Sequence, residues 1–496
     1  MTSETVIGID IGTASSKGIV ATPDGTVLAR AQRSHGLSLP RPGWAEHDAE
    51  AIWWEEAASI CRELATIAGT GLRGVCVSGI GPSAVPCDRQ LRPLRPAILY
   101  GIDSRASDEI EELERLLGAD AILGRCGSAL SAQALGPKLL WLRRREPDVW
   151  AAARGWYMAS SFVAARLTGA YVLDHQSASQ CDPFYDLVAR TWAEDWAGEL
   201  LPGMPLPELV WPADVVGQVT PEAARATDLP RGTPVAAGTT DAWAEAFSAG
   251  VRAPGDLMLM YGSTMFFVQV TTDRQPNPLL WSTNGVEPGT KTVAAGMSTS
   301  GTLSEWLRDL AGQPPWSEIV PEATAAPPGA NGLLLLPYFA GERTPIYDPD
   351  ARGVIAGLTL RHGRGDLLRA AYEGTAFAAR QIIKLLRGAE DGEPRVVAVG
   401  GGTQANLWLQ IVSDVTGAPQ AVPLEASGAA YGDALLAAIA SGLVATDTDW
   451  AQIGSVVTPD PSSRETYDEL FELYACLYES TASVVHRLAR IDQPTL

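Results

Sequence analysis

Long apolar runs are missing from this chain. No window approaches the roughly 18 residues that a membrane-spanning helix requires, and the N-terminus has no basic-then-apolar leader. A cytoplasmic protein with no membrane partner is expected. Positive charge is also scarce. Lys and Arg total 37 against 58 Asp and Glu, for a net charge of −21, which argues against a nucleic-acid partner because phosphate backbones are bound through basic patches. Cysteine is sparse and unpatterned: Cys61, Cys76, Cys87, Cys126, Cys181 and Cys476 form no C-x-x-C pair. Most lie in apolar surroundings, so buried free thiols are expected rather than disulfides or a zinc site. His35, His47, His175, His362 and His486 show no metal spacing, and no H-E-x-x-H occurs. Three nucleotide signatures are absent as well. No G-x-x-x-x-G-K-[ST] string occurs. The first strand is followed by Gly12-Thr13-Ala14-Ser15-Ser16 rather than G-x-G-x-x-G, which argues against a dehydrogenase. His486-Arg487-Leu488 is not the H-R-D of a protein kinase.

What is present suits a soluble enzyme of more than one domain. Hydrophobic residues make up 46% and charged residues 19% of 496 positions, enough for sizeable cores in two or more domains. The opening run Val6-Ile7-Gly8-Ile9-Asp10-Ile11 is short, apolar and rich in β-branched residues, hence a buried strand. Gly12-Thr13-Ala14-Ser15-Ser16-Lys17 turns the chain, and Gly18–Ala21 resumes the apolar pattern. Exposed amides, hydroxyls and a Lys suit an anion such as phosphate, and Asp10 at the strand end suits a hydrated Mg²⁺. An ordinary polar hairpin could read the same way, but a second one lies in the other half of the chain. Its turn, Tyr261-Gly262-Ser263-Thr264, joins two apolar strands. Just before it, Val235–Ala237 reads as a strand and Asp241–Ala249 as a helix, so Gly238-Thr239-Thr240-Asp241 places a carboxylate at a helix mouth. A carboxylate followed in sequence by a hydroxyl-rich turn suggests two groups facing one ligand.

Other turns also fall at strand ends. Gly74–Ser78 delivers Gly79-Ile80-Gly81-Pro82-Ser83 at a strand's C-terminal end, where α/β proteins bind ligands. Ala97–Tyr100 delivers Asp103 and Arg105, which form either a surface ion pair or a hydrogen-bonding pair for a polyhydroxylated substrate. Trp44, in the loop Arg41–Asp48, either packs or walls a pocket, and Asp48 caps a helix running to about Ala68. Val396–Val399 leads into Gly400-Gly401-Gly402, where a backbone without Cβ can lie flat against a ring or a phosphate before a helix begins at Ala405. Gly428–Ser441 is a helix of small residues suited to close packing, and Ser463–Ile491 reads as a helical appendage.

Taken in this order, these residues resemble the FGGY carbohydrate kinases over about residues 4–445. The most specific part is Gly353-Val354-Ile355-Ala356-Gly357-Leu358 followed by Asp366–Glu373, similar to the family's C-terminal signature. Asp10–Thr13 and Tyr261–Thr264 look like its two phosphate motifs, and Gly400–Gly402 like its adenosine motif. Arg41–Asp48, Arg95–Arg105 and Gly341–Pro345 are similar to segments of its xylulokinase members. The resemblance implies an α/β, two-domain actin/hexokinase/heat-shock ATPase-like (ribonuclease H-like) fold with an active-site cleft between domains. A sugar-binding domain at 1–248, a nucleotide-binding domain at 249–445 and a helical extension at 446–496 are expected. ATP and Mg²⁺ are the implied cofactors, and a small-molecule sugar and ATP the implied partners, with a homodimer allowed.

Carried over residue by residue, the resemblance makes Asp241 the general base. Gly12, Thr13, Ser15, Lys17, Gly262, Ser263, Thr264, Gly400, Gly401, Gly402 and Asn406 would hold the nucleotide, and Asp10 the metal. Gly81, Pro82, Ser83, Asp103, Arg105, Trp44 and Ala242 would face the sugar. There are departures: a Met-His pair is common in xylulokinases where this chain has Gly81-Pro82-Ser83, and an Asn where it has Ala242. They bear on the sugar rather than the chemistry. Phosphorylation of D-xylulose to D-xylulose 5-phosphate is the first expectation, with gluconate, ribulose or glycerol as alternatives. A non-catalytic sugar- or nucleotide-sensing module of the same fold is the competing reading; the presence of Asp241 speaks for catalysis.

Overall fold

The computed structural model describes residues 4–272, 276–388, 394–424 and 428–492. Its chain forms two compact units. The first holds Met1–Arg252, Thr272–Thr292 and Ser427–Ala451; the second holds Ala253–Thr271, Val293–Ala426 and Gln452–Leu496. The consecutive segments expected from sequence differ from this division. The first break falls close to the expected one, but Thr272–Thr292 and Ser427–Ala451 return to the first unit, and the expected extension at 446–496 is shared between the two.

In the first unit Thr5–Ile11 and Ser15–Ala21 form an antiparallel hairpin. Thr5–Ile11 also runs parallel to Leu72–Gly79, which runs parallel to Pro234–Ala236. The full sheet order is Val215–Gln218, Pro234–Ala236, Leu72–Gly79, Thr5–Ile11, Ser15–Ala21, Val27–Ser34. All seven residues of Thr5–Ile11 are buried, which explains its near-continuous apolar run. On one face the helix Glu55–Ala68 lays Ile60 and Leu64 against Gly18. On the other, Gly428–Ala440 comes so close that a Cβ on Gly8 would sit 2.0 Å from the Ala430 carbonyl oxygen. Its small residues permit that approach. Gly432 does the same for the helix Asp241–Ser248, since a Cβ there would lie 2.1 Å from the Ala244 carbonyl oxygen.

The second unit repeats the scheme. Asp256–Tyr261 and Met265–Thr271 form an antiparallel hairpin, and Asp256–Tyr261 runs parallel to Arg395–Val399. Gln420–Pro423 continues the sheet in parallel, and Ile453–Val457 closes it antiparallel. The helix expected at the end of the chain is present, and it packs against the rest of the second unit. In the helix Arg464–Asp492, Tyr467 and Tyr474 are fully buried. The Tyr467 hydroxyl donates to Glu373 Oε1 at 3.0 Å and the Tyr474 hydroxyl to the Tyr338 oxygen at 2.8 Å. Tyr478 donates to Asp348 Oδ2 at 2.8 Å. Positions 467, 474 and 478 lie on one face of a helix, so the segment is docked along its length. Among the described residues no helix is long and apolar enough to cross a membrane. The six cysteines are free, with Cys476 exposed and the others buried.

Candidate active site

Three parallel strands of the first unit, Thr5–Ile11, Leu72–Gly79 and Pro234–Ala236, end at one edge, where Gly79 bridges to Thr240. That edge gathers Asp10, the Gly12–Lys17 turn, Gly79–Ser83 and Thr239–Asp241. Asp10 is 9% exposed, and its Oδ1 has no hydrogen-bond partner. Burial holds its carboxyl well above the ordinary range; the Asp241 charge adds to this, Lys17 opposes it, and Glu245 adds a smaller push. Lys17 is the residue opposite Asp10 across the hairpin.

Asp241 is the first residue of its helix, behind Thr240 in extended conformation (φ −77°, ψ 150°) that makes no side-chain cap bond. One Asp241 oxygen, Oδ1, accepts the Ala242 N–H at 2.8 Å. The carboxylate therefore does part of the cap's work, which accounts for Asp at this position by helix chemistry alone. Burial raises its pKa to about 6, against the pull of backbone N–H groups. Glu245, one helical turn on, is pushed to about 7 by burial and then by Asp241, with Lys17 opposing. The turn itself is anchored from inside. Thr239 Oγ1 lies 2.9 Å from both Asp174 Oδ1 and Gln176 Oε1, and Thr240 Oγ1 donates to Gln176 Oε1 at 2.7 Å.

No group of three metal-ligating side chains converges among the described residues. Mg²⁺ keeps several waters and takes one or two carboxylates together with phosphate oxygens. Asp10, buried with an orphaned oxygen and coupled to Asp241 and Glu245, fits that demand.

Several residues expected to face a sugar make bonds within the protein. Ser83 is fully buried; its hydroxyl donates to the Ile80 carbonyl at 3.0 Å and accepts the Ala159 N–H at 3.3 Å. These two bonds shape the turn. Asp103 and Arg105 form a buried pair rather than a surface one. The Arg105 side chain is 0% exposed, with Nη2 on Asp103 Oδ2 at 2.6 Å and Nη1 on Glu46 Oε1 at 2.8 Å. Asp103 Oδ2 also accepts the Ala45 N–H at 2.7 Å. Trp44 packs beneath the Arg105 guanidinium at 3.9 Å and edge-on to Trp141 at 5.3 Å. Both partners' polar atoms are used by protein groups, so this cluster braces the loop from within. Gly81 stays at the edge, where a Cβ would meet Thr240 Cγ2 at 2.3 Å. Pro82 is buried beside it, and Ala242 is half-buried.

The second unit has an edge of its own, where Asp256–Tyr261 and Arg395–Val399 end together. Gly400 has φ 90°, and a Cβ there would lie 2.6 Å from the Tyr261 carbonyl oxygen; one on Gly402 would lie 2.9 Å from Trp408 and Tyr261 side-chain atoms. A Cβ on Gly401 would meet nothing within 4 Å. The outer glycines are thus required by packing, while the middle one leaves its face open. Ser263, Thr264 and Asn406 are exposed nearby in sequence or at the first turn of Asn406–Thr416.

The chain matches the FGGY family of carbohydrate kinases, N-terminal domain, over residues 5–248 and the C-terminal domain of the same family over residues 257–441. It belongs to that family. This FGGY kinase is 26% identical to the xylulose kinase of Staphylococcus xylosus over 487 residues, covering 96% of this chain and 99% of that one. It is 31% identical to the glycerol kinase of Nocardia farcinica over 461 residues, covering 88% and 90%. The crystal structure of xylulose kinase from Rhodospirillum rubrum is 34% identical, with a TM-score of 0.89 covering 97% of this chain and 100% of that one. The fold is accordingly the two-domain sugar-kinase fold of the actin/hexokinase-like class, and the chain is a carbohydrate phosphotransferase.

Some residues of this FGGY kinase's site were not singled out from sequence. Glu245 was legible in principle, since i+4 from Asp241 shares its helix face. Asp174 and Gln176 were not, because they reach Thr239 and Thr240 from a distant segment. Asp433 lies behind the edge, accepting from the Ser78 hydroxyl at 2.5 Å. Burial raises its carboxyl well above the ordinary range.

Proposed function

We propose that this FGGY kinase transfers the γ-phosphate of ATP to a terminal hydroxyl of a ketopentose, D-xylulose first. The observation that carries the reading is the placement of Asp241. Its carboxylate stands at a helix mouth beside three strand ends, with its turn pinned by Asp174 and Gln176. A sugar hydroxyl is a poor nucleophile until its proton is taken, and Asp241, ionised above about pH 6, takes it as the oxygen attacks phosphorus. Lys17 and the Thr13 and Ala14 amides of the Gly12–Ser15 turn hold phosphate oxygens. Asp10, with its unpartnered oxygen, would hold Mg²⁺, which when bound would supply neutralisation of phosphate charge. In the second unit Ser263, Thr264 and Asn406 serve the nucleotide, with the open face of Gly401 against adenosine. The same reading includes a cytoplasmic enzyme and a homodimer, which light scattering checks.

Support for xylulose comes from the named relatives, one at 34% identity along nearly the whole chain, and from the segments Arg41–Asp48 and Gly341–Pro345. Glycerol is the second reading, favoured by the 31% identical glycerol kinase; the missing Met-His pair leaves the sugar open. ADP release across a panel of ketoses, polyols and aldonic acids tests them. D-Xylulose or a close ketopentose is expected to give the highest kcat/KM. A tenfold advantage for glycerol or gluconate, about 1.4 kcal/mol of transition-state preference, would reverse the assignment.

The adenosine assignment has its own test. Gly401→Val should fold normally, because the new Cβ meets nothing within 4 Å. It should weaken ATP by at least about tenfold in calorimetry, roughly 1.4 kcal/mol, and leave sugar binding alone. Unchanged ATP affinity would remove Gly401 from the nucleotide site.

A further inference from the structure

We propose that His35 and His47 are positioning residues that preset the Gly12–Ser15 turn for phosphate by holding its carbonyls from behind; the proposal rests on the reading of that turn as a phosphate cradle. His35 Nε2 lies 3.1 Å from the Gly12 carbonyl oxygen, and His47 Nε2 lies 3.2 Å from that of Thr13. In a trans peptide the carbonyl and the following N–H point in opposite directions. Two carbonyls held inward therefore turn the N–H groups of Thr13 and Ala14 outward, where successive amides form a concave anion site.

Each ring is fixed by a second contact. The Trp53 indole N–H donates to His47 Nδ1 at 3.3 Å, so His47 Nδ1 is the acceptor and Nε2 carries the hydrogen donated to Thr13. His47 is fully buried, and burial lowers its pKa to about 4, which keeps this tautomer neutral. His35 Nδ1 lies 2.9 Å from Glu56 Oε2, which also accepts the Ser16 hydroxyl at 2.6 Å. The Gly12 carbonyl can only accept, so His35 Nε2 donates to it, and Nδ1 faces the Glu56 carboxyl. The two rings meet edge to face at 5.0 Å.

The second hairpin solves the same problem with backbone N–H groups together with the Ser300 hydroxyl on Gly262 and the Thr302 hydroxyl on Ser263. Gly262 corresponds to Gly12 as the first residue after the leading strand. Its carbonyl accepts the Gly301 N–H at 3.1 Å, and that of Ser263 accepts the Ser300 N–H at 3.1 Å. Two inward-held carbonyls at matching positions in both units, fixed by unrelated donors, mark carbonyl restraint as the common feature.

Side-chain donors can be replaced one at a time. The probes are AMP-PNP with Mg²⁺ in calorimetry and the ATP and sugar KM values, with melting temperature as a folding control. His47→Gln keeps a donor for Thr13 and an acceptor for Trp53, so ATP binding should stay within about threefold of wild type. His47→Leu keeps neither and should weaken ATP at least about tenfold with the sugar KM unchanged. His35→Leu keeps no donor for Gly12 and should behave like His47→Leu; it carries the test if His47→Leu fails to fold. Lys17→Met separates the two readings. If it weakens ATP while neither His47→Leu nor His35→Leu does, the histidine proposal is wrong and the phosphate cradle stands. If Lys17→Met and the histidine variants all leave ATP unchanged, the cradle reading falls and the proposal with it. Equal effects of Gln and Leu at position 47 would reduce that histidine to packing.

Discussion

Asp241→Asn should lower sugar-dependent turnover by at least about 10²-fold while leaving the protein folded and able to bind ATP. Asn is nearly isosteric, and its side-chain oxygen can still accept the Ala242 N–H that Asp241 Oδ1 takes at 2.8 Å. What it cannot do is accept a proton, and general-base catalysis typically supplies roughly 10²–10⁴-fold. The melting temperature should be equal or higher. Burial raises the carboxyl to about 6, so above that pH the folded protein carries an ionised group it disfavours, and Asn removes that burden. The pH profile adds a second signature. A base works only when ionised, so wild-type kcat/KM should fall as pH drops through about 6, and the variant's residual activity should lack that limb. Retention of more than a tenth of wild-type kcat would take Asp241 out of the base role. Activity lost only through unfolding would leave it a helix cap.

The parts of this enzyme legible in sequence are those encoded by neighbouring residues. The Val6–Lys17 and Asp256–Thr271 hairpins could be read because strand, small-residue turn and strand follow one another directly. The Asp241 helix mouth and the glycine turn at 400–402 are local for the same reason. Charged residues in loops were harder. Asp103 and Arg105 look like solvent or ligand groups until Glu46, Ala45 and Trp44 close around them. Nothing local distinguishes a buried pair from an exposed one. The division into units was hidden for a related reason. Thr272–Thr292 and Ser427–Ala451 belong with residues far earlier in the chain, and no composition shift marks the crossings. The last helix was read as an appendage because Tyr467, Tyr474 and Tyr478 announce a face but not what covers it. His35 and His47 failed a search for metal spacing because their partners are carbonyls of the turn, which leave no trace in residue type.

Gly8→Val should destabilise the first unit more than any surface substitution, with a melting temperature lower by about 5 °C in calorimetry. A Cβ at this position would lie 2.0 Å from the Ala430 carbonyl oxygen, 2.4 Å from the Ala434 nitrogen and 3.0 Å from its Cα. All three are backbone atoms of Gly428–Ala440, so no rotamer change can relieve the contact. The helix must back away from the sheet as a body. Doing so would loosen its close contacts at Gly74 and Gly432, where added carbons would meet backbone oxygens at 2.8 and 2.1 Å. Overpacking of this kind costs about 1–3 kcal/mol and sometimes more, and backbone atoms on the far side place it at the upper end. A unit of about 300 residues shifts by somewhat under 2 °C per kcal/mol, so about 3 kcal/mol gives the expected shift. Gly36→Val is the control, since a Cβ there meets nothing within 4 Å. The consequence reaches the chemistry because Asp10 is two residues along the same strand face, and Asp433 on the displaced helix is bonded to Ser78 behind it. Surviving Gly8→Val protein should therefore lose turnover as well as stability. A variant melting within about 1 °C of wild type would mean that the helix yields without cost, and that the small residues at 429, 430, 432, 434, 437 and 438 are not there to allow close approach.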